Sequence, residues 1–186
     1  MKANRASLVV AWGFLLLLPA FCQEAHLRAL AATGTVDQIK DALKNISEIA
    51  SRDSSGVSAL MLAAANNHDP AVIGLLISAG ADINARSATG ETALIVAAEH
   101  NPNPGAALAL LKAGANLDDR DRLGRTPLMA AAWGNSNPGV IFVLLKAGAD
   151  AKATNYSGKT ALDYAKQNIA FSPDGNVCRV LEEAMR

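Results

Sequence analysis

The chain is poor in aromatic residues and has no excess of charge of either sign. Aromatic residues make up 4% of its 186 residues, while alanine and leucine are abundant. Seventeen basic residues balance 17 acidic ones, and no basic surface large enough to indicate a nucleic-acid partner is visible. The composition therefore favours short helices, because small side chains let helices approach one another closely.

Motifs that carry chemistry are missing as well. The sequence contains no HExxH, no paired CxxC, no phosphate-binding glycine loop and no nucleophile elbow. Its histidines, His26, His68 and His100, are scattered, and the charged run at residues 118–122 mixes both signs. Such a run suits an exposed hairpin better than a metal site. We therefore expect no catalytic residues, no metal and no cofactor.

The N-terminus has the three parts of a secretory signal peptide. Two basic residues precede an uncharged run, residues 6–22, whose centre is strongly apolar. Small residues mark two candidate cleavage sites, one after Cys22 and one after Ala20. We predict that residues 1–22 are a cleaved signal peptide. The mature chain would then be exported, to the periplasm or out of the cell.

Two alternatives to a cleaved signal stay open. In the first alternative, the apolar run of 17 residues is retained as a membrane anchor; the run is at the short limit for crossing about 30 Å of hydrocarbon. In the second, Cys22 carries a lipid; Pro19 and Phe21 are unlike the residues of a bacterial lipoprotein signal.

Cysteine usage limits the ways in which the mature chain is stabilised. Loss of residues 1–22 leaves Cys178 as the single cysteine, so no internal disulfide forms even in an oxidising compartment. The fold must then rest on packing. Cys178 is either a small apolar residue of the last helix or a site of intermolecular pairing.

A unit of 34 residues recurs along the rest of the chain. The clearest copy is residues 121–152, and sliding it upstream by 34 residues gives a related copy each time. Two sets of glycines keep the same spacing: Gly56, Gly90, Gly124 and Gly158, and Gly80, Gly114 and Gly148. A fixed period of this length is typical of a stacked repeat array.

The residues that carry the period resemble the ankyrin repeat. The clearest copy follows the order Asp-x-x-Gly-x-Thr-Pro-Leu, then Ala-Ala, Leu-Leu and Gly-Ala-Asp, and the other copies follow it with replacements such as Ser87 for the leading aspartate. The resemblance covers roughly residues 25–186. It implies an all-α solenoid of stacked helix-turn-helix units with projecting hairpin loops and helical caps. We divide the chain into a signal peptide, an N-terminal capping repeat, three ankyrin repeats and a C-terminal partial repeat: 1–22, 23–52, 53–86, 87–120, 121–154 and 155–186.

Local signals predict two helices in each repeat. In the clearest copy, a turn at Gly124 precedes Thr126-Pro127, which opens the first helix. An Asn-Pro or Asp-Pro pair, such as Asn137-Pro138, opens the second helix. Gly148 ends that helix as its C′ residue. The apolar side of one repeat becomes core only when the next copy stacks on it.

The sequence departs from the family pattern in two ways. Its period is 34 residues rather than about 33, and the extra residue falls in the loop between the helices, near Asn67, Asn101 and Asn135. We expect this insertion to leave the stack intact. The histidine that usually follows Thr-Pro-Leu is replaced in every copy: Met61, Ile95, Met129 and Asp163. We therefore expect the inter-repeat hydrogen bond of that histidine to be absent.

The resemblance also indicates which side chains would meet a partner. Proteins of this family hold partners on the concave face, formed by the hairpin tips and the outer side of the first helices. Carried over position by position, the residues expected to bind are Trp133, Tyr156, Arg122, Arg125, Leu123, Glu91, Glu99, His100 and Lys159. Trp133 is the strongest candidate, because interface energy concentrates in Trp, Tyr and Arg. We expect it beside the two arginines and near Tyr156; the alternative is that it only packs on a neighbouring side chain.

These observations predict an exported, non-catalytic module that binds a protein of unknown identity through its concave face. Two other functions stay open: an accessory or inhibitory subunit of an enzyme in the same compartment, and a secreted effector that acts on another cell. We expect no nucleic-acid partner, no membrane attachment after signal cleavage, and a monomer.

Overall fold

The computed structural model describes residues 20–44, 49–171 and 175–186, with side chains from residue 27 onward. Residues 1–19 of the predicted signal peptide lie outside the described residues, and so does the side chain of Cys22. Within the described ranges the secondary structure is helical, apart from an isolated bridge between Arg52 and Ser58. This confirms the predicted all-α solenoid.

The helices of the described ranges follow one another in pairs. The N-terminal pair is α1 (Ala20–Thr33) and α2 (Val36–Leu43). The three full repeats contain α3 (Ala59–Asn66) with α4 (Pro70–Ser78), α5 (Ala93–His100) with α6 (Pro104–Lys112), and α7 (Pro127–Gly134) with α8 (Pro138–Lys146). The C-terminal pair is α9 (Ala161–Ala165) and α10 (Asn176–Ala184).

Stacking produces two layers of helices. The first helices of successive repeats pack side by side from α1 to α9, and the second helices do so from α2 to α10. The core lies between the layers and repeats every 34 residues, as at the fully buried Leu76, Leu110 and Leu144. Cys178 of α10 is also buried in this core. The apolar interior is therefore assembled from neighbouring repeats, as the period predicts.

The helices of the clearest repeat begin and end where the local signals place them. The Thr126 side chain accepts a hydrogen bond from the Met129 N–H at the start of α7. Asn137 caps α8 in the same way through the Gly139 N–H, with proline at the first helical position. Gly148 follows α8 with φ +98°, a conformation that only glycine adopts without strain. These local predictions are confirmed.

Buried asparagines join successive repeats at the position of the extra residue. The Asn101 amide nitrogen donates to the carbonyl oxygens of Ala64 at 3.0 Å and of Asn67 at 2.9 Å. The Asn101 side-chain oxygen accepts from the Asn103 N–H at 2.9 Å. Because Asn101 is buried, these bonds satisfy polar backbone groups at the end of α3 that water does not reach.

The same contact recurs along the whole stack, and we call the set the asparagine ladder. Its rungs run from Asn67 to Ala31 and Gly34, from Asn101 to Ala64 and Asn67, from Asn135 to Ala98 and Asn101, and from Asn168 to Ala132 and Asn135. The insertion therefore leaves the stack intact, as expected, and the bond between repeats forms at a separation of 33 residues as well, as from Asn168 to Asn135. The residues that replace the family histidine in the three full repeats are buried in the core: Met61, Ile95 and Met129.

A second series of contacts joins the hairpins. One Arg86 amino group donates to the carbonyl oxygens of Gly90 at 3.0 Å and of Arg120 at 2.7 Å. Arg120 repeats the pattern in the next hairpin, with Gly124 at 2.9 Å and Thr154 at 2.7 Å. The guanidinium groups thus fix each hairpin against the following one and set the positions of the hairpin tips.

Replacing Asn101 by alanine is expected to lower the free energy of unfolding by about 2–4 kcal/mol, since buried carbonyls lose their donors. The control is Asn66→Ala, because the exposed Asn66 amide donates to Leu62 within its own helix; its change should stay within about 0.5 kcal/mol. Urea unfolding measures both values. Equal losses in the two variants would contradict a structural role of the ladder.

The first turn of α9 should respond to acid. The Thr160 N–H and hydroxyl donate to the Asp163 carboxylate at 2.8 and 2.7 Å, and the backbone bond is the main cause that lowers the pKa of Asp163. A carboxylate with a lowered pKa stabilises the folded state above its unfolded pKa of about 3.9 and ceases to do so as pH falls through the folded value.

The matching experiment compares the wild-type chain with Asp163→Ala across pH. At pH 7 the variant should be less stable by no more than about 1 kcal/mol, because the group is exposed. The difference should shrink as pH falls below the unfolded pKa of about 3.9 and through the lower folded value. Urea unfolding at each pH measures it, and a difference that does not depend on pH would be evidence against this assignment.

Candidate protein-binding face

The predicted binding residues lie on the hairpin tips and first helices, but they differ in exposure. Those exposed to solvent are His100, Arg122, Leu123, Trp133, Tyr156 and Lys159. Glu91 and Glu99 are partly buried, and Arg125 is buried. The structure thus presents most of the set to a partner. Their role in binding stays a prediction.

Trp133, at the end of α7, both packs on the next repeat and remains 46% exposed. Its ring meets the Tyr164 ring edge-on, with centroids 5.6 Å apart and planes at 75°, a favoured aromatic geometry. The Tyr164 hydroxyl accepts from the Asn155 amide at 2.8 Å. Trp133 therefore combines the two alternatives left open by the sequence, since it is held by a neighbour and still accessible.

Sequence reasoning missed Tyr164, the ring partner of Trp133. The 34-residue register places Tyr164 in the same series as Leu62, Val96 and Ala130, one helical turn before the Trp133 position. Ala130 is small, so the Trp133 and Tyr164 rings meet across adjacent helices. A search of this register for aromatic residues would have found the pair.

Tyr156 occupies the tip of the last hairpin and is 75% exposed. Its N–H donates to the Leu123 carbonyl at 3.2 Å, and its ring lies flat against Gly124. A Cβ atom at Gly124 would stand 2.8 Å from the ring, so this glycine is needed for the close approach as well as for its φ of +78°. The neighbouring hairpin therefore fixes the position of the Tyr156 ring.

Arg125 is not the solvent-facing arginine that the sequence predicts. It is 9% exposed, and its Nε donates to the Asp121 carboxylate at 2.6 Å. Its terminal nitrogen lies 3.1 Å from Glu99 and 3.8 Å from Glu91. The side chain lies at the base of the hairpin, where it is close to all three carboxylates. The Asp121 carboxylate is itself fixed there by hydrogen bonds from the backbone of the turn.

The electrostatics of this cluster favour a charged arginine. Burial of the guanidinium opposes its charge, but the hydrogen bond to Asp121 and the charges of Glu99 and Asp121 outweigh that effect and raise the pKa of Arg125. One Glu99 carboxylate oxygen is enclosed and makes no aligned hydrogen bond, so its contact with Arg125 is mainly Coulombic. We infer that Arg125 stabilises the fold and positions Glu99.

Large side chains on the concave face concentrate in its last two repeats. At the first tip position the series is Ser54, Ala88, Arg122 and Tyr156. At the second it is Ser55, Thr89, Leu123 and Ser157, and on the first helices it is Ala65, Glu99, Trp133 and Gln167. Large and aromatic side chains are therefore concentrated at one end of the concave face.

The described residues were also searched for other kinds of site. Within the described ranges, no three His, Cys, Asp or Glu side chains are placed to hold a metal ion. No helix there has the length and apolar character needed to span a membrane. An open depression lies between Pro138, Phe171 and Val177, and it includes none of the predicted binding residues.

Comparison with known families agrees with this geometry. A family model described as ankyrin repeats, in three copies, matches residues 26–121 and again 60–155. The chain belongs to the ankyrin-repeat family. Ankyrin repeats are generally protein-interaction modules. No curated protein matches the chain.

Replacing Arg125 by alanine should lower the free energy of unfolding of the ankyrin stack by about 3 kcal/mol, because the buried Asp121 and the partly buried Glu99 lose their shared cation. The control is Arg122→Ala, three residues away and exposed, which should change stability by less than about 0.5 kcal/mol. Thermal or urea unfolding gives both values. If Arg125→Ala were as stable as Arg122→Ala, the buried cluster would have no structural role.

Proposed function

We propose that this chain is an exported, non-catalytic ankyrin-repeat module that binds a protein partner through its concave face. The observation that carries the proposal is a pair of exposed aromatic side chains, Trp133 and Tyr156, each held in place by a neighbouring repeat.

Preorganisation is what makes these aromatics suitable for binding. A side chain that is already ordered loses little conformational entropy when a partner covers it, so more of its contact energy appears as affinity. The Tyr164 ring orders Trp133, and the Gly124 backbone orders Tyr156. Both rings still offer large apolar surface, which is typical of interface hot spots.

The remaining residues divide into contacts and supports. Arg122, Leu123 and Lys159 are exposed around the two rings and would touch the partner. His100, Glu91 and Glu99 lie on the preceding repeat and would form the edge of the same surface. Arg125 would act from beneath by holding the Glu99 side chain.

Export rests on the N-terminal segment, whose basic start, apolar centre and small residues near position 22 are those of a signal peptide. The proposed location is the periplasm or the extracellular medium. Cell fractionation of the full chain should find it outside the cytoplasm with its N-terminus removed near residue 22. A variant without residues 2–22 should stay inside. Intact, cytoplasmic full-length protein would contradict export.

Trp133→Ala and Tyr156→Ala should each weaken binding of the partner by at least about 30-fold, the effect of losing a hot spot of about 2 kcal/mol. The partner would first be captured on the immobilised full chain and identified, and affinities would then be measured by calorimetry. Leu108→Ala is the control, since Leu108 is a 42%-exposed apolar side chain of α6 in the other helix layer. Full affinity in both aromatic variants would remove the concave face as the site.

A further inference from the structure

The exposed charges around the two aromatic rings are positive. Arg122 and Lys159 are both exposed, and within the described part of the chain neither lies within 4 Å of a carboxylate. Some of the other basic side chains have such partners, as Arg86 has Asp119 and Lys166 has Glu182. The Lys159 Nζ lies 5.7 Å from the centroid of the Tyr164 ring, a contact that leaves its charge without a carboxylate, so both cations of the concave face can pair with a carboxylate of a ligand.

The negative charges nearby point inward. The Asp121 and Glu99 side chains are 3% and 12% exposed, and both face Arg125. Glu91 is 24% exposed, and one of its oxygens already accepts from the Thr89 hydroxyl at 2.6 Å. Asp121 is thus withdrawn from a partner, and Glu91 and Glu99 present only a small part of their carboxylates at the edge of the surface.

Asp163 is the remaining acidic group close to Lys159, and the charge of Lys159 helps to lower the pKa of Asp163 after the stronger hydrogen bonds from Thr160. Those bonds engage one oxygen of the carboxylate at the start of α9. Lys159 and Asp163 are not within 4 Å of each other, so Lys159 keeps its capacity for a direct ion pair.

The distance between a partner's charge and each charge of the face determines how strongly the two interact. The cluster around Arg125 holds three carboxylates and one guanidinium, a net charge of −2. Coulomb energy falls with distance and is screened over about 8 Å at physiological salt. A partner carboxylate in contact with an exposed cation at about 4 Å is therefore attracted more strongly than the enclosed cluster repels it.

Exposed apolar side chains belong to the same two repeats as these cations. Leu123 is 60% exposed and shares its repeat with Trp133, and Tyr156 of the next repeat rests on the Leu123 hairpin. The corresponding residues of the first repeats are small or polar, such as Ser54 and Ala88. The combined apolar and cationic surface spans two adjacent repeats, a distance of about 10 Å for one helix-to-helix step.

We propose that this surface binds a short acidic segment of the partner protein. An aromatic or large aliphatic side chain of that segment packs on Trp133, and its carboxylates pair with Arg122 and Lys159. The inference rests on the proposed function, because it names the chemistry of the partner that the concave face binds.

In the test, a random library of displayed 12-residue peptides is selected for binding to the full chain. The selected peptides are then synthesised and their affinities for the full chain are measured. We expect enrichment of Asp and Glu beside Trp, Phe or Leu. The doubly charge-reversed variant Arg122→Glu with Lys159→Glu should weaken these peptides by at least about tenfold and reduce the salt dependence of binding. Trp133→Ala should also weaken them by at least about tenfold.

The matched control is Lys112→Glu with Lys146→Glu, which changes the net charge by the same amount at exposed ends of α6 and α8. It should change affinity by less than about threefold, since charges farther apart than a Debye length are screened. Circular dichroism of every variant would establish that the helices are intact.

The outcomes separate this inference from the proposed function. Peptides that need Trp133 but carry no acidic enrichment, or that tolerate the charge reversal, would overturn the acidic partner and leave the concave face as the site. Peptides that bind equally to Trp133→Ala would contradict both proposals, and so would a library from which no peptide is selected.

Discussion

The fold depends on the hydrogen bonds that each buried loop asparagine donates to the preceding repeat. First helices of this length leave carbonyl groups unpaired at their C-terminal ends, and stacking removes those groups from water. Without a donor, each would cost about 1–3 kcal/mol. The asparagine amide reaches two of them at once, one in the helix and one in the loop, as Asn101 does with Ala64 and Asn67. The loop between the two helices of each repeat provides the position for this donor.

Fixed stacking in turn determines the surface that the repeats present. A tip residue of one hairpin rests on the hairpin before it, as Tyr156 rests on Gly124, and a ring on one first helix rests on the next, as Trp133 rests on Tyr164. The exposed aromatics are therefore ordered by contacts between repeats rather than within one repeat. Stability depends on these neighbour contacts, and under the proposed function binding depends on them too, so a partner would recognise the assembled stack and not an isolated unit.

The sequence predicts the fold well because its signals are local and periodic. Turn glycines, Asx-Pro pairs and helix-ending glycines each act over a few residues, and they locate every helix of the full repeats. Contacts between repeats were less predictable. The loop asparagines looked like a tolerated insertion, since their acceptors lie 33–37 residues away. Register alone places Arg125 on the surface; Asp121, its closest partner, lies in the same turn, but the Glu99 carboxylate that also withdraws it belongs to another repeat. Tyr164 was overlooked for the same reason.

Proton exchange of the asparagine side chains tests the central claim most directly. In NMR spectra of the folded chain, the side-chain amide protons of Asn67, Asn101 and Asn135 should exchange with solvent more than about tenfold more slowly than those of the exposed Asn66 and Asn116, because exchange requires the repeats to separate. Equal exchange rates at all five side chains would show that the amides are not held between repeats, and would contradict the account.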